Sequence, residues 1–343
     1  MANTPKGENK VNGHRTPKIL AQLFHQETSS TALDASRVVV DPKSIAASVV
    51  TSIRTEVPPD AHTAPYLGLE REGNAVLINS DGLILTIGYL LLESRAVRVM
   101  AQDGSWINAD YVGYDFDSGF GLARAQKPLN LTPIKLGDST KLKEGSEVII
   151  AAHGGRDHCI GATIIGRHEF AGYWEYLLDN AIFTAPAHPN WSGAALIGVD
   201  GLLYGIGSLL IDDAENTAAG TRGNMFVPVE LLSPILDDLL SAGRVRRPPR
   251  PWLGMFTAET QKGLVVVHVT PEGPADRSGL ALEDVILRVA EEPINDLAHM
   301  YRKMWDLGDA GTVVPLTVMR DTVGVEVTVK SASRYDYFRT PRE

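Results

Sequence analysis

The chemistry available to this chain centres on one serine. Ser192 stands in Pro189-Asn190-Trp191-Ser192-Gly193-Ala194-Ala195-Leu196, just ahead of an apolar hairpin pattern. A serine hydroxyl is a poor nucleophile at neutral pH. It needs a base within hydrogen-bond reach, and that base needs an orienting carboxylate. His188 lies four residues upstream, and His153 and His158 share the segment from Ala152 to His158. A loop histidine without a catalytic task is the commoner case, so each is a candidate and not an assignment. No spacing of His and acidic residues matches a zinc site, and neither a metal nor a cofactor is expected. Cys159 is the only cysteine, which excludes an intramolecular disulfide and leaves the redox compartment open.

Two Asp-Gly turns organise the elements that must position Ser192. Ala75–Ile78 and Leu83–Thr86 flank Asn79-Ser80-Asp81-Gly82, and Ala195–Ile197 and Leu202–Ile206 flank Val199-Asp200-Gly201. Apolar runs around Asp-Gly predict β-hairpins. Further strands are expected over 96–100, 106–114, 148–151 and 162–165. Two halves built of short strands predict two β-barrels or one large sandwich. The helical spacing of Leu231, Leu232, Ile235, Leu236, Leu239 and Leu240 predicts a helix with Pro234 in its first turn and Gly243 as its stop. The run 244–251 holds four arginines and three prolines, a stiff exposed linker.

A smaller α+β unit follows. It is expected to hold a strand over 264–269, a short helix over 274–278 and a strand over 284–287. A helix capped by Asp296 and closed by Gly308 comes next, then a hairpin over 313–329. Residues 1–44 lack periodicity and read as a polar arm.

The 343 residues are 44% hydrophobic and 22% charged, as in soluble globular proteins, with a net charge of −10. That balance argues against broad binding to nucleic acid or an anionic membrane surface. No apolar run reaches the roughly 20 residues of a spanning helix. The first thirty residues show no recognisable signal peptide, so the expected compartment is cytoplasmic.

Several landmarks stand in a telling order. They are Asp81-Gly82-Leu83-Ile84-Leu85-Thr86, Gly113-Tyr114-Asp115, Ser192-Gly193, Gly243-Arg244-Val245-Arg246-Arg247 and Trp252-Leu253-Gly254. Gly273-Pro274-Ala275, Ser278-Gly279-Leu280 and Asp284-Val285-Ile286 follow. In this order the chain resembles the HtrA/DegP family over roughly residues 45–332. The resemblance implies a mainly β fold, a trypsin-like double β-barrel followed by a small α+β PDZ domain. The implied division is an arm over 1–44, the double barrel over 45–243, the linker over 244–251, the PDZ-like domain over 252–332 and a tail over 333–343.

The resemblance also assigns positions. Ser192 is the remnant nucleophile. The family's histidine position is Tyr89, and a phenol with a reference pKa near 10 is a poor substitute for imidazole. The family's aspartate position is Gly119, in Gly119-Phe120-Gly121-Leu122. Asp115 and Asp117 are near in sequence, and using Asp117 requires a shift of two residues along the strand. The oxyanion hole falls on the backbone N–H groups of Asn190 and Ser192, with Trp191 expected to cover the cleft. Losing one oxyanion donor costs about 10²–10³ in rate. Losing triad members costs on the order of 10⁴–10⁶.

In the PDZ-like part, Trp252, Leu253, Gly254 and Met255 match the loop that captures a peptide's C-terminal carboxylate. Leu297, Tyr301 and Met304 share a helix face that either lines the groove or packs in the core. The arginine linker is expected to be a solvated spacer, with an acidic partner as the alternative.

The leading expectation is a catalytically impaired pseudoprotease that binds C-terminal peptides or unfolded proteins, with a part in proteolysis and protein quality control. The alternatives are an unconventional serine endopeptidase, with His188 or a partner supplying a non-standard base, and a structural scaffold. The resemblance further implies a homo-oligomer, a trimer, and admits a periplasmic location.

Overall fold

The computed structural model describes residues 10–11, 14–15, 49–214 and 220–340. Most of the expected N-terminal arm lies outside the described residues. The exception is a two-residue pair, β1 (Lys10–Val11) with β2 (His14–Arg15).

Each Asp-Gly turn closes one hairpin of a barrel. The first barrel comprises β3 (Val50–Glu56), β4 (Glu70–Leu77), β5 (Leu83–Ile87), β6 (Ala96–Met100), β7 (Trp106–Tyr114) and β8 (Phe120–Ala125). Asn79 Oδ1 accepts from the N–H groups of Asp81 and Leu83, and Gly82 takes φ +77°, which fixes the β4–β5 reversal. The second barrel comprises β9 (Glu147–Ala151), β10 (Cys159–Gly172), β11 (Tyr176–Ala185), β12 (Ala195–Gly198), β13 (Leu203–Ile211) and β14 (Gly223–Pro228). The sheets close in the orders β3-β4-β5-β8-β7-β6 and β10-β11-β14-β13-β12-β9. Closure leaves no unpaired strand edge. One apolar core runs through both, including Ile53, Leu85 and Phe120 in the first barrel and Ile149, Phe183 and Met225 in the second.

The helix after the barrels is shorter than its apolar spacing predicts. Pro234 disfavours helical geometry at Ser233. A 3-10 turn over Val229–Leu231 precedes it, and α2 spans only Leu236–Ala242, ending at Gly243 with φ +74°. The short α1 (Ala64–Leu67) lies between β3 and β4.

The α+β unit expected to be PDZ-like is a sheet of β15 (Met255–Thr260), β16 (Gly263–Val269), β17 (Val285–Val289), β19 (Val313–Arg320) and β20 (Val323–Lys330) in that order. β18 (Glu292–Pro293) pairs with β17. α3 (Pro274–Arg277) and α4 (Leu297–Asp306) pack on it. Asp296 caps α4 by accepting from the His299 N–H at 2.7 Å. No described helix is long and apolar enough to cross a membrane.

The linker and the tail are both tied down. Arg247 binds Asp117 at 2.5 Å, and the Arg250 guanidinium lies 4.1 Å from the Trp305 ring centre. The linker arginines thus bridge the barrel and the PDZ domain, correcting the solvated spacer. The tail carries α5 (Arg334–Tyr337), and Tyr335 and Tyr337 donate to the carbonyls of Tyr114 and Pro271. Each ring and guanidinium finds a distant partner that local composition does not reveal.

Candidate functional site

Ser192 enters the site from the turn before β12, and its surroundings are close on every side. Its carbonyl accepts from the backbone N–H of Asn74 at 2.8 Å and from Asn74 Nδ2 at 2.9 Å. A Cβ at Gly73 would lie 3.1 Å from Ser192 Oγ, so β4 presses directly on the hydroxyl. Ser192 is 2% exposed.

The structure brings Tyr89 to this hydroxyl. β5 ends at Ile87, and the 3-10 turn Gly88–Leu90 turns the Tyr89 phenol inward. Its OH donates to Ser192 Oγ at 2.7 Å and lies 3.2 Å from the Ser208 carbonyl. Burial holds the phenol well above its usual range, more than the bond to Ser192 lowers it. A neutral phenol of that kind supplies a hydrogen bond and cannot accept the serine proton.

The expected carboxylate position carries no acid. Gly119 takes φ +80°, and a Cβ there would come 3.1 Å from the Tyr176 hydroxyl. Tyr176 fills that space and donates to the Ser118 carbonyl at 2.7 Å. Asp117 faces Arg247 and Arg250. Asp115 Oδ2 accepts from the Ser118 N–H at 2.8 Å. Burial, then the Asp117 charge, push the Asp115 carboxyl up. The two acids near in sequence therefore serve the linker and their own turn.

His188 is also spoken for. Its Nδ1 accepts from the Asn190 N–H at 2.9 Å, and its Nε2 faces the His158 carbonyl at 3.1 Å. The ring is therefore neutral with its proton on Nε2. It is fully buried, and burial lowers its pKa from 6.5 to about 4. Both nitrogens bind backbone, so this geometry does not make His188 the base of Ser192. It also turns the Asn190 N–H, the expected oxyanion donor, toward the imidazole. Trp191 is 3% exposed, so it lies inside the protein and does not lid a cleft. Cys159 is buried with its thiol pushed up to about 12, which leaves it unreactive.

The lowered His188 pKa carries a stability consequence. The unfolded chain takes up a proton near pH 6.5 that the folded chain refuses until about pH 4. The contribution is complete above 6.5 and lost as pH falls through 4, an amount of about 3 kcal/mol. Urea midpoints should fall across that window, and the fall should be smaller in His188→Gln. An equal fall in both chains removes His188 as its cause.

The peptide-loop residues converge on a second point. The N–H groups of Leu253, Gly254 and Met255 all donate to one carboxylate, that of Glu175, at 3.0, 2.8 and 3.1 Å. Burial raises the Glu175 carboxyl, against the pull of Arg334 and of these amides. Trp252 stands beside the loop and packs on Tyr337 of the tail, ring centres 4.7 Å apart. Tyr301, with Leu297 and Met304, is buried in the PDZ core. Its hydroxyl donates to the Gly172 carbonyl at 2.7 Å and accepts from the Glu175 N–H at 3.2 Å.

Residues 73–206 match the family described as trypsin-like peptidase domain, and residues 251–331 match the PDZ domain. A "Probable periplasmic serine protease do/HhoA-like" of Haemophilus influenzae is 30% identical over 280 residues, covering 75% of this chain and 57% of the relative. The chain belongs to the HtrA/DegP-like family. The "Periplasmic pH-dependent serine endoprotease DegQ" of Escherichia coli K12 is 27% identical over 287 residues, 79% of this chain and 61% of that protein. The HtrA-like chain thus spans between half and two thirds of the length of these relatives. A solved structure titled "HtrA-type protease AlgW with decapeptide" shares the fold at TM-score 0.50 and 21% identity, covering 85% of this chain and 97% of that one.

Two residues that shape the candidate sites of this HtrA-like chain escape a reading of its sequence. Asn74 anchors the serine turn from β4, and nothing in its neighbourhood marks it. Glu175 carried a faint signal. It sits in Gly172-Tyr173-Trp174-Glu175-Tyr176, a hairpin tip too aromatic for a turn that faces only water.

Proposed function

We propose that this chain is a catalytically impaired HtrA-family protein that binds C-terminal peptides or unfolded chains. One observation carries the impairment: the Ser192 hydroxyl meets a neutral phenol where hydrolysis requires a base. The absent carboxylate at Gly119 and the diverted Asn190 N–H support it. The PDZ loop and a largely apolar cavity of about 120 Å³, lined by Tyr89, Gly119, Tyr176, Met255 and Phe338 among others, support binding.

Cleavage of an unfolded reporter protein should run on the order of 10⁴-fold or more below that of a complete triad enzyme. A fluorophosphonate probe should leave Ser192 unlabelled. Strong labelling that disappears in Ser192→Ala would overturn the proposal.

The names of the relatives favour a second reading, an active serine endopeptidase. On that reading cleavage is present in the unaltered chain and lost in Ser192→Ala, and the base is a group other than His188. The same names place the relatives in the periplasm. We extend that compartment to this chain in preference to the cytoplasm. A trimer belongs to the same proposal, and light scattering reads it directly.

A further inference from the structure

The hairpin tip between β10 and β11 meets the PDZ groove as a peptide end would. An extended ligand of such a groove offers a terminal carboxylate to a loop of N–H groups and backbone polar groups to the edge strand. Residues 172–175 offer both. Glu175 gives its carboxylate to three successive amides, those of Leu253, Gly254 and Met255. Gly254 takes φ +78°, which lets the loop backbone bring them to one point. The Tyr173 carbonyl accepts from the Thr257 N–H of β15 at 3.0 Å. Tyr301 of α4 grips the tip on the opposite side, through Gly172 and Glu175.

The arrangement is built, and it is held under strain. Glu175 is 4% exposed and takes φ +58°, a left-handed conformation that is unfavourable for a residue with a Cβ. The strain persists because the surroundings over-determine it. Arg334 of the tail donates to the carbonyls of Trp174 and Glu175, at 2.5 and 2.6 Å. Arg302 of α4 pairs with Glu169 and Asp179 on the two arms of the hairpin. Leu177, one turn of strand beyond the tip, joins the apolar core of the PDZ domain.

We propose that Glu175 is the built-in ligand of the PDZ carboxylate loop, and that a free chain end binds there only by displacing it. The proposal rests on the reading of this domain as a binder of C-terminal peptides. The partner it fits is a polypeptide with a free α-carboxylate. A chain that ends in an amide, or an internal loop without an acid, cannot replace the three charge-assisted bonds. Peptide affinity is then the intrinsic affinity multiplied by the fraction of molecules whose hairpin tip is out of the loop.

Two measurements on the full chain test this. The first is capture on immobilised random decapeptides with free carboxyl ends, against the same peptides amidated. Glu175→Gln and Glu175→Ala should hold the carboxylate library at least about tenfold more tightly than the unaltered chain, and no chain should gain on the amidated one. The second is amide hydrogen exchange over 253–255, which should speed up in both variants. Equal capture of the carboxylate library by all three chains overturns the proposal and leaves peptide binding standing. No capture by any chain, together with faster exchange in both variants, ends the peptide-binding reading and keeps Glu175 as the ligand of the loop. Unchanged exchange overturns the proposal whatever the capture.

Discussion

The double variant Tyr89→His, Gly119→Asp is expected to remain at least about 10²-fold slower than a complete HtrA-type protease on an unfolded reporter protein. Restoring the two missing side chains does not restore the site around them. Aspartate at 119 must take up φ +80°, and its Cβ would come 3.1 Å from the Tyr176 hydroxyl. Aspartate tolerates left-handed angles better than most residues, so the contact with Tyr176 is the heavier obstacle. Tyr176 is held in turn by its bond to the Ser118 carbonyl. A histidine at 89 replaces the phenol beside Ser192, a residue 2% exposed in the unaltered chain.

The largest deficit lies elsewhere. The Asn190 N–H donates to His188 Nδ1, so the negative charge of a tetrahedral intermediate finds one expected donor turned away. One lost oxyanion donor costs about 10²–10³ in rate. Only an additional change that frees this N–H, such as His188→Ala, removes that deficit. Initial rates on a fluorescent unfolded protein, with a complete HtrA-type protease assayed beside it, read the result. A double variant within tenfold of that enzyme would show that the serine turn is already competent and that the two side chains alone were missing.

Much of this was legible from sequence, and the division follows range. The Asp-Gly hairpins, the strands over 96–100, 106–114 and 148–151 and the Asp296 cap are set by residues a few positions apart, and they form as their patterns predict, whereas β3, β8, β11 and β14 carried no strand expectation. The landmarks near Ser192, Tyr89 and Gly119 marked the candidate site, because strand order brings Tyr89 to Ser192. The partners of individual polar groups are another matter. Asn74 reaches Asn190 and Ser192 across more than a hundred residues, and Glu175 reaches the 253–255 amides across almost eighty. Local periodicity holds no information on such pairs. The linker misled for the same reason. Its arginines read as solvated until Asp117 and Trp305 are brought beside them by the fold. His188 shows the opposite hazard. Its sequence position suits a base, yet its two nitrogens are engaged by backbone at 2.9 and 3.1 Å.

Gly193→Ala is expected to cost at least about 4 kcal/mol of stability, the range reached when a buried backbone clash adds to strain. Two effects combine. Gly193 takes φ +72°, where a Cβ alone costs about 1–2 kcal/mol. That Cβ would also lie 1.9 Å from the Asn74 carbonyl oxygen and 2.8 Å from Thr86 Oγ1. Neither neighbour can retreat freely. The Asn74 carbonyl accepts from Thr86 Oγ1 at 2.7 Å, and the Asn74 amide and side chain hold Ser192, Asn190 and His153. Retreat on the other side is blocked as well. The Gly193 N–H donates to the Gly207 carbonyl at 2.8 Å, and a Cβ at Gly207 would already meet the Trp191 carbonyl at 2.1 Å. The turn is clamped between β4 and β13 by backbone on both faces. Gly155→Ala separates the two effects, because Gly155 takes φ +79° with nothing within 4 Å of its Cβ position. It should lose only the strain. Unfolding free energies of the two variants from urea titration should therefore differ by at least about 2 kcal/mol, and equal losses would refute the clamp. The glycine after Ser192 is thus demanded by packing between two strands. A Ser-Gly pair in this turn marks the barrel that needs it and leaves the question of turnover to the base, the acid and the oxyanion donor.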